Sequence, residues 1–121
     1  MEFDWANFKT LADELRQRED EASQRSAISR LYYSVFNRAQ AYLKEKHGFQ
    51  VSAIGESSHK SMWNEYSSKG RTFKAIAIKG NRLRLNRNNA DYNPTIHKLD
   101  NLVEESFREA ESILSYLQNL P

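Results

Sequence analysis

Apolar residues recur at three- and four-residue spacing along most of the chain, and each such run predicts a helix. The first runs from about Asp4 to Glu19. Trp5, Phe8, Leu11, Ala12 and Leu15 share one face, and Asp4 is its expected N-cap. "REDEASQ" interrupts the pattern. The clearest stripe follows, from about Ser23 to His47, with Ile28, Leu31, Tyr32, Val35, Phe36, Ala39, Tyr42 and Leu43 in register. Gly48 is a natural stop for it, and "GFQVSAIGESS" reads as a loop.

Ser57 or Ser58 is the expected cap of a short third helix, which carries His59, Met62, Trp63 and Tyr66 and ends near Gly70. The fourth helix runs from about Thr72 to Ala90 or Tyr92, and "KGN" at 79–81 is the expected site of a kink, since mid-helix glycine costs about 1 kcal/mol against alanine. Asn93 and Pro94 suit the cap and first position of a fifth helix. Its stripe is Leu99, Leu102, Val103, Phe107, Ala110, Ile113, Leu114 and Leu117. No segment reads as a strand. The expected architecture is all-α, an up-and-down bundle of four to five helices in one domain spanning residues 1–121.

Composition agrees with long helices joined by short turns, because the 121 residues include only four glycines and two prolines. A chain of this size buries roughly two thirds of its unfolded surface, enough for one core. There is no cysteine, which excludes disulfides, thiolate metal sites and a cysteine nucleophile and suits a cytoplasmic setting. "MEFDWANF" is acidic and does not read as a signal peptide, and no apolar run is long enough to span a membrane. The three histidines are scattered, so no metal site is expected, and no glycine-rich phosphate loop is present. No cofactor is implied.

Charge changes the picture more. The net charge is +2, yet between Tyr66 and Ala90 the chain has seven bases and no acid. These are Lys69, Arg71, Lys74, Lys79, Arg82, Arg84 and Arg87. Such a cluster suits an anionic partner, RNA or a nucleotide, or else a solvated helix face. At about 100° per residue, Arg71, Lys74 and Arg82 point to solvent, opposite Phe73, Ile76, Ala77, Gly80 and Leu83, with Lys79 at the margin. Arg84, Arg87 and Asp91 project inward, with Phe73 and Leu83.

An inward arginine needs a partner, because an unpaired buried charge costs several kcal/mol. Asp91 stands four residues beyond Arg87. Acid C-terminal to base is the weaker order, contributing only a few tenths of a kcal/mol to a helix. Two readings follow for "RNNADY": a core tether, with a tyrosine of the second helix as a further partner, or a polar site at a groove or dimer seam.

Three segments in order resemble one family. "SAISRLYYSVFNRAQAYL" is similar to the second-helix signature of the HEPN (higher eukaryotes and prokaryotes nucleotide-binding) superfamily. "SSHKSMWNEY" resembles the histidine-bearing segment that follows in one prokaryotic branch. "RNNADY" resembles that branch's Arg-x-x-Ala-Asp-Tyr motif. The resemblance implies an all-α bundle, usually a homodimer. Many such proteins are metal-independent endoribonucleases of toxin–antitoxin, anti-phage or CRISPR-linked systems. Others bind nucleotides or partner a small nucleotidyltransferase. Active members carry an arginine followed by a histidine after four to six residues. Here Arg87 matches the arginine, but Asp91 and Tyr92 stand where that histidine belongs, and the next histidine is His97.

The resemblance implies an RNA-directed protein of a prokaryotic defence or toxin–antitoxin system, with Arg87, Asp91, Tyr92 and His59 as candidate catalytic residues. Arg84, Arg82, Lys79, Lys74 and Arg71 are candidate RNA- or phosphate-binding residues. The alternative is a non-catalytic nucleotide- or RNA-binding or assembly subunit, with a nucleotidyltransferase or antitoxin as partner. Each histidine also has a plain reading, as a surface or capping group. Tyr33 lies at the edge of its stripe, from where its hydroxyl can reach a polar site.

Overall fold

The computed structural model describes residues 2–51 and 54–121. Ser52 and Ala53, inside the expected loop, lie outside the described residues, as does Met1. Five helices follow one another: α1 (Ala6–Arg16), α2 (Glu21–His47), α3 (Glu56–Ser67), α4 (Arg71–Tyr92) and α5 (Leu99–Gln118). Among the described residues there is no strand. The fold is an all-α helical bundle.

Side-chain pairings fix the directions of the helices. Arg25 near the start of α2 reaches carbonyls at the end of α4, while Tyr42 near the end of α2 meets Phe73 near the start of α4. Those two helices are therefore antiparallel. Glu56 meets Arg84 and Tyr66 meets Phe73, so α3 is also antiparallel to α4. Asn86 bonds Ser106 while Lys79 pairs with Glu109, which makes α5 antiparallel to α4 as well. All five helices contribute to one apolar core. Its largest members with no exposed surface are Trp63, Tyr32, Tyr66, Ile28 and Leu31. No described helix is long and apolar enough to cross a membrane.

Several expected boundaries shift, each for a local reason. Trp5 is the N-cap residue of α1, although Asp4 Oδ1 still accepts the Ala6 N–H at 3.0 Å. Helix α2 begins at Glu21, because Asp20 caps it by accepting the Ser23 N–H at 2.9 Å. Gly48 ends α2 at φ +64° as expected. Gly55, not Ser57 or Ser58, precedes α3, and Ser58 sits inside the helix with its hydroxyl donating to the Gly55 carbonyl. Asn93 and Pro94 do not open α5, which starts at Leu99. Instead Asn93 makes a turn of its own, its side-chain oxygen accepting the Thr95 N–H at 3.2 Å.

Gly80 does not interrupt α4, which is helical from Arg71 to Tyr92. A Cβ at Gly80 would lie 2.4 Å from Trp63 Cε3. The glycine is there to let the indole of α3 lie against the backbone of α4. Trp63 Nε1 donates to the Tyr32 hydroxyl at 3.1 Å, and the Tyr66 hydroxyl donates to the Ala39 carbonyl at 2.8 Å. This seam fixes α3 against both α2 and α4, and it positions the polar cluster that lies one to two turns further along α4.

Candidate functional site

The last three turns of α4 carry Arg84, Arg87, Asn88 and Asp91, spaced to share one side of the helix. Both arginines are buried, as the helix phase predicts. Their partners come from α3 and α2. A single carboxylate, Glu56 in the first turn of α3, pairs through one oxygen with Arg84 Nη1 and through the other with Arg87 Nη2 at 3.4 Å. Asn88 donates its amide to Glu56 Oε1 at 3.2 Å. Arg87 Nη1 donates to Asp91 Oδ2 at 3.3 Å, and that oxygen also accepts from the Ser29 hydroxyl of α2 at 3.3 Å. Arg87 Nε is buried without an acceptor.

The guanidinium of Arg87 lies among aromatic faces. Its carbon is 5.2 Å from the Tyr33 ring centre, 5.5 Å from Tyr32 and 5.9 Å from Tyr92, within the range of cation–π attraction. Tyr92 itself is 75 % exposed, so it forms the outer wall of the cluster. The tether reading of "RNNADY" is visible here. Arg87 is tethered to Asp91 and to tyrosines of α2, and the cluster reaches the surface through Glu56 and Tyr92.

His59 of α3 joins the cluster from the side. Its ring stacks on Phe36 at 4.1 Å and lies 5.9 Å from Tyr33. Tyr32 Oη is 2.7 Å from His59 Nδ1. Since Trp63 already donates to that hydroxyl, Tyr32's own proton is left for His59. The chain then runs Trp63 N–H to Tyr32 O–H to His59 Nδ1. Burial lowers the pKa of His59, and the positive charges of Arg87 and Arg84 lower it further, against the opposing pull of Glu56. Burial raises the pKa of Tyr32, which keeps its proton in place.

Burial also disfavours the ionised form of Glu56. Hydrogen bonds from Arg84 and Asn88 and the charges of both arginines outweigh it and hold the carboxyl below its ordinary range. Burial likewise disfavours charge on Arg87, but Tyr33 and the bond to Asp91 outweigh it and raise its pKa. Glu56 and Arg87 are therefore both ionised at neutral pH, and the two guanidiniums contact the carboxylates of Glu56 and Asp91.

The outward bases stand apart from this cluster. Arg71 and Lys74 are exposed, and among the described residues no carboxylate lies within the 4.0 Å of an ion pair. Lys79 and Arg82 each approach Glu109 of α5 at 3.9 Å. A groove beside the cluster is lined by Asn89, Asn93, Thr95, His97 and Asn101 and contains neither arginine. Among the described residues, no three His, Asp or Glu side chains gather as a metal ion would require.

The structure thus brings together Arg84, Arg87, Asp91, Tyr92, His59 and Tyr33 from the candidates in the sequence. Arg71, Lys74, Lys79 and Arg82 lie on the other face of α4. Sequence reasoning missed Glu56, the residue that joins the two arginines. The available signal was an acid in the first turn of a helix, which is where the helix dipole favours one, and that reading conceals its reach to α4. Compared with known proteins, the chain matches no family model, no curated protein and no solved structure.

Proposed function

We propose that this chain is a HEPN-like, RNA-directed protein of a prokaryotic defence or toxin–antitoxin system, acting as a homodimer. In this reading Arg84, Arg87 and Asn88 form its phosphate-binding group. The observation that carries this reading is the convergence of two buried guanidiniums and an amide on one carboxylate near the surface. Guanidinium forks suit phosphate as they suit carboxylate. Tyr33 and Tyr92 offer ring faces beside that group for a base, and Arg71 and Lys74, on the other face of α4, add a separate patch of exposed charge for the backbone. Three motifs in order supply the family resemblance.

Metal-independent cleavage needs a group to move the 2′-hydroxyl proton, and His59 is the candidate. It comes from α3 to the side of Arg87, and its lowered pKa leaves it unprotonated at neutral pH. The second reading is a non-catalytic RNA- or nucleotide-binding or assembly subunit, with a nucleotidyltransferase or antitoxin as partner. The bond between Tyr32 and His59 favours it, because the Nδ1 lone pair is already engaged.

One experiment tests these readings. The pure protein is incubated with mixed RNA in EDTA beside Arg87→Ala and His59→Asn. Cleavage by the wild type alone supports the endoribonuclease. Binding without cleavage, weakened by salt and by Arg71→Gln with Lys74→Gln, supports the binding subunit. With neither result, RNA is not the ligand.

A further inference from the structure

The donors of the arginine cluster all come from α4, at positions 84, 87 and 88, while the acceptor that joins them comes from a different helix. That acceptor is the most exposed member of the trio of charges. The Glu56 side chain is 42 % exposed, against 9 % for Arg84 and 5 % for Arg87. Its carboxylate can therefore turn out to water by rotating its own three torsions, with α3 staying in place. Gly55, immediately before it, has φ +64° and, among the described residues, nothing within 4 Å of where a Cβ would stand, so that side of the helix start is open. Nor does Glu56 saturate the donors, because Arg87 Nε stays buried without an acceptor.

These features do not describe a brace chosen for stability. Burying two guanidiniums to pair them with one carboxylate yields little net stability, since desolvation offsets the attraction. They do describe an anion site that is already filled. A carboxylate presents two oxygens to the pair of guanidiniums, as the free oxygens of a phosphate would.

We propose that Glu56 is a built-in anion occupying the phosphate position of Arg84, Arg87 and Asn88, and that the site takes a phosphate only when the Glu56 side chain has swung out to solvent. This rests on the phosphate-binding reading given above and adds its regulation: the protein competes with its own ligand. With Glu56 in place, the charges of Arg84 and Arg87 are balanced by Glu56 and Asp91, and on α4 RNA meets the exposed bases Arg71, Lys74 and Arg82. With Glu56 displaced, Arg84 Nη1, Arg87 Nη2 and the Asn88 amide lose their acceptor and become available.

The test compares wild type with Glu56→Gln and Glu56→Asp, using a single-stranded RNA of mixed sequence and, separately, pyrophosphate as probes. Binding is read by fluorescence anisotropy for RNA across several salt concentrations and by calorimetry for pyrophosphate. Glu56→Gln is expected to bind RNA roughly tenfold more tightly. Its plot of log affinity against log salt should be steeper by about 0.7 for each guanidinium released to a strand phosphate. Glu56→Asp keeps the charge on a shorter arm that cannot span both arginines, so it should fall between the two. It also keeps the test available should Glu56→Gln fail to fold.

Wild-type RNA binding that depends on Arg87, with no gain in either folded variant, overturns the proposal and leaves the RNA reading standing. A gain in pyrophosphate binding without any RNA binding upholds the plug and overturns RNA as the ligand. Weaker binding of both probes by folded variants makes Glu56 a brace and overturns the proposal.

Discussion

The two halves of α4 distribute charge in opposite senses. From Arg71 to Gly80 the bases face water, and the inner side is apolar and so close to α3 that only glycine fits beneath Trp63. From Leu83 to Tyr92 the bases Arg84 and Arg87 are buried, while Leu85 and Tyr92 are 54 % and 75 % exposed. The first half follows the ordinary amphipathic rule, and its position is held by packing. The second half still buries Leu83 and Ala90 but departs from that rule by burying two arginines as well, and those charges are held by Glu56 and Asp91. Where a helix turns its charge inward and its apolar side chains outward, the reason lies in what those groups meet.

The largest effect should come from the packed half. Gly80→Ala adds a Cβ that collides with an indole. Overpacking costs about 1–3 kcal/mol and more where the clash is against a rigid buried ring, so after the ~1 kcal/mol that alanine adds in helix propensity the net loss should exceed about 2 kcal/mol. Urea unfolding should show a lower midpoint. A higher midpoint would mean that the two helices slide apart freely and that the contrast between the halves is shallow.

Arg87→Ala should be milder, at about 1–2 kcal/mol, because the partner carboxylates reach water and rehydrate once the guanidinium is gone. The same denaturation series measures it. A loss larger than that of Gly80→Ala would make the polar half the structural one.

A third test uses pH. The folded pKa of His59 is lowered, so between that value and the ordinary 6.5 the unfolded chain holds a proton that the native one lacks. Stability should therefore rise with pH through that window and be fully present above 6.5. His59→Asn should flatten the slope, as read from thermal melts between pH 5 and pH 8. An unchanged slope would mean that neither burial nor the arginines lower the His59 pKa.

The smallest effect is expected at Leu85→Gln, within about 0.5 kcal/mol for the isolated protomer, as for other exposed positions. If this variant also lowers the mass seen by light scattering, the outward apolar residues of the second half belong to an interface between copies of the chain.

The contrast between the halves was half legible in the sequence. Helix phase alone places Arg84 and Arg87 inward and Arg71, Lys74 and Arg82 outward, because period and side-chain direction depend only on local geometry. The all-α bundle was legible for the same reason, in stripes that run without interruption along α2 and α5. A tyrosine of α2 was foreseen as a partner of Arg87, but other features set by a distant partner escaped. Gly80 reads as a kink until Trp63, seventeen residues earlier, is seen to occupy its missing side chain. Asn93-Pro94 reads as a helix start, yet the Asn93 carbonyl is taken by Arg25 at 2.6 Å and α5 begins later. Glu56 reads as first-turn decoration because its role depends on two arginines about thirty residues away.

The hydrogen-bonded line from Trp63 through Tyr32 to His59 also gives the molecule a built-in optical reporter. The chain has two tryptophans, and only Trp63 belongs to this line. In a Trp5→Phe background the ultraviolet emission comes from one buried indole, two bonded steps from the histidine beside the arginine cluster. A proton gained by His59, or an anion drawn in beside it, alters the field at that indole. Events at the site can then be followed in unlabelled protein by its own light.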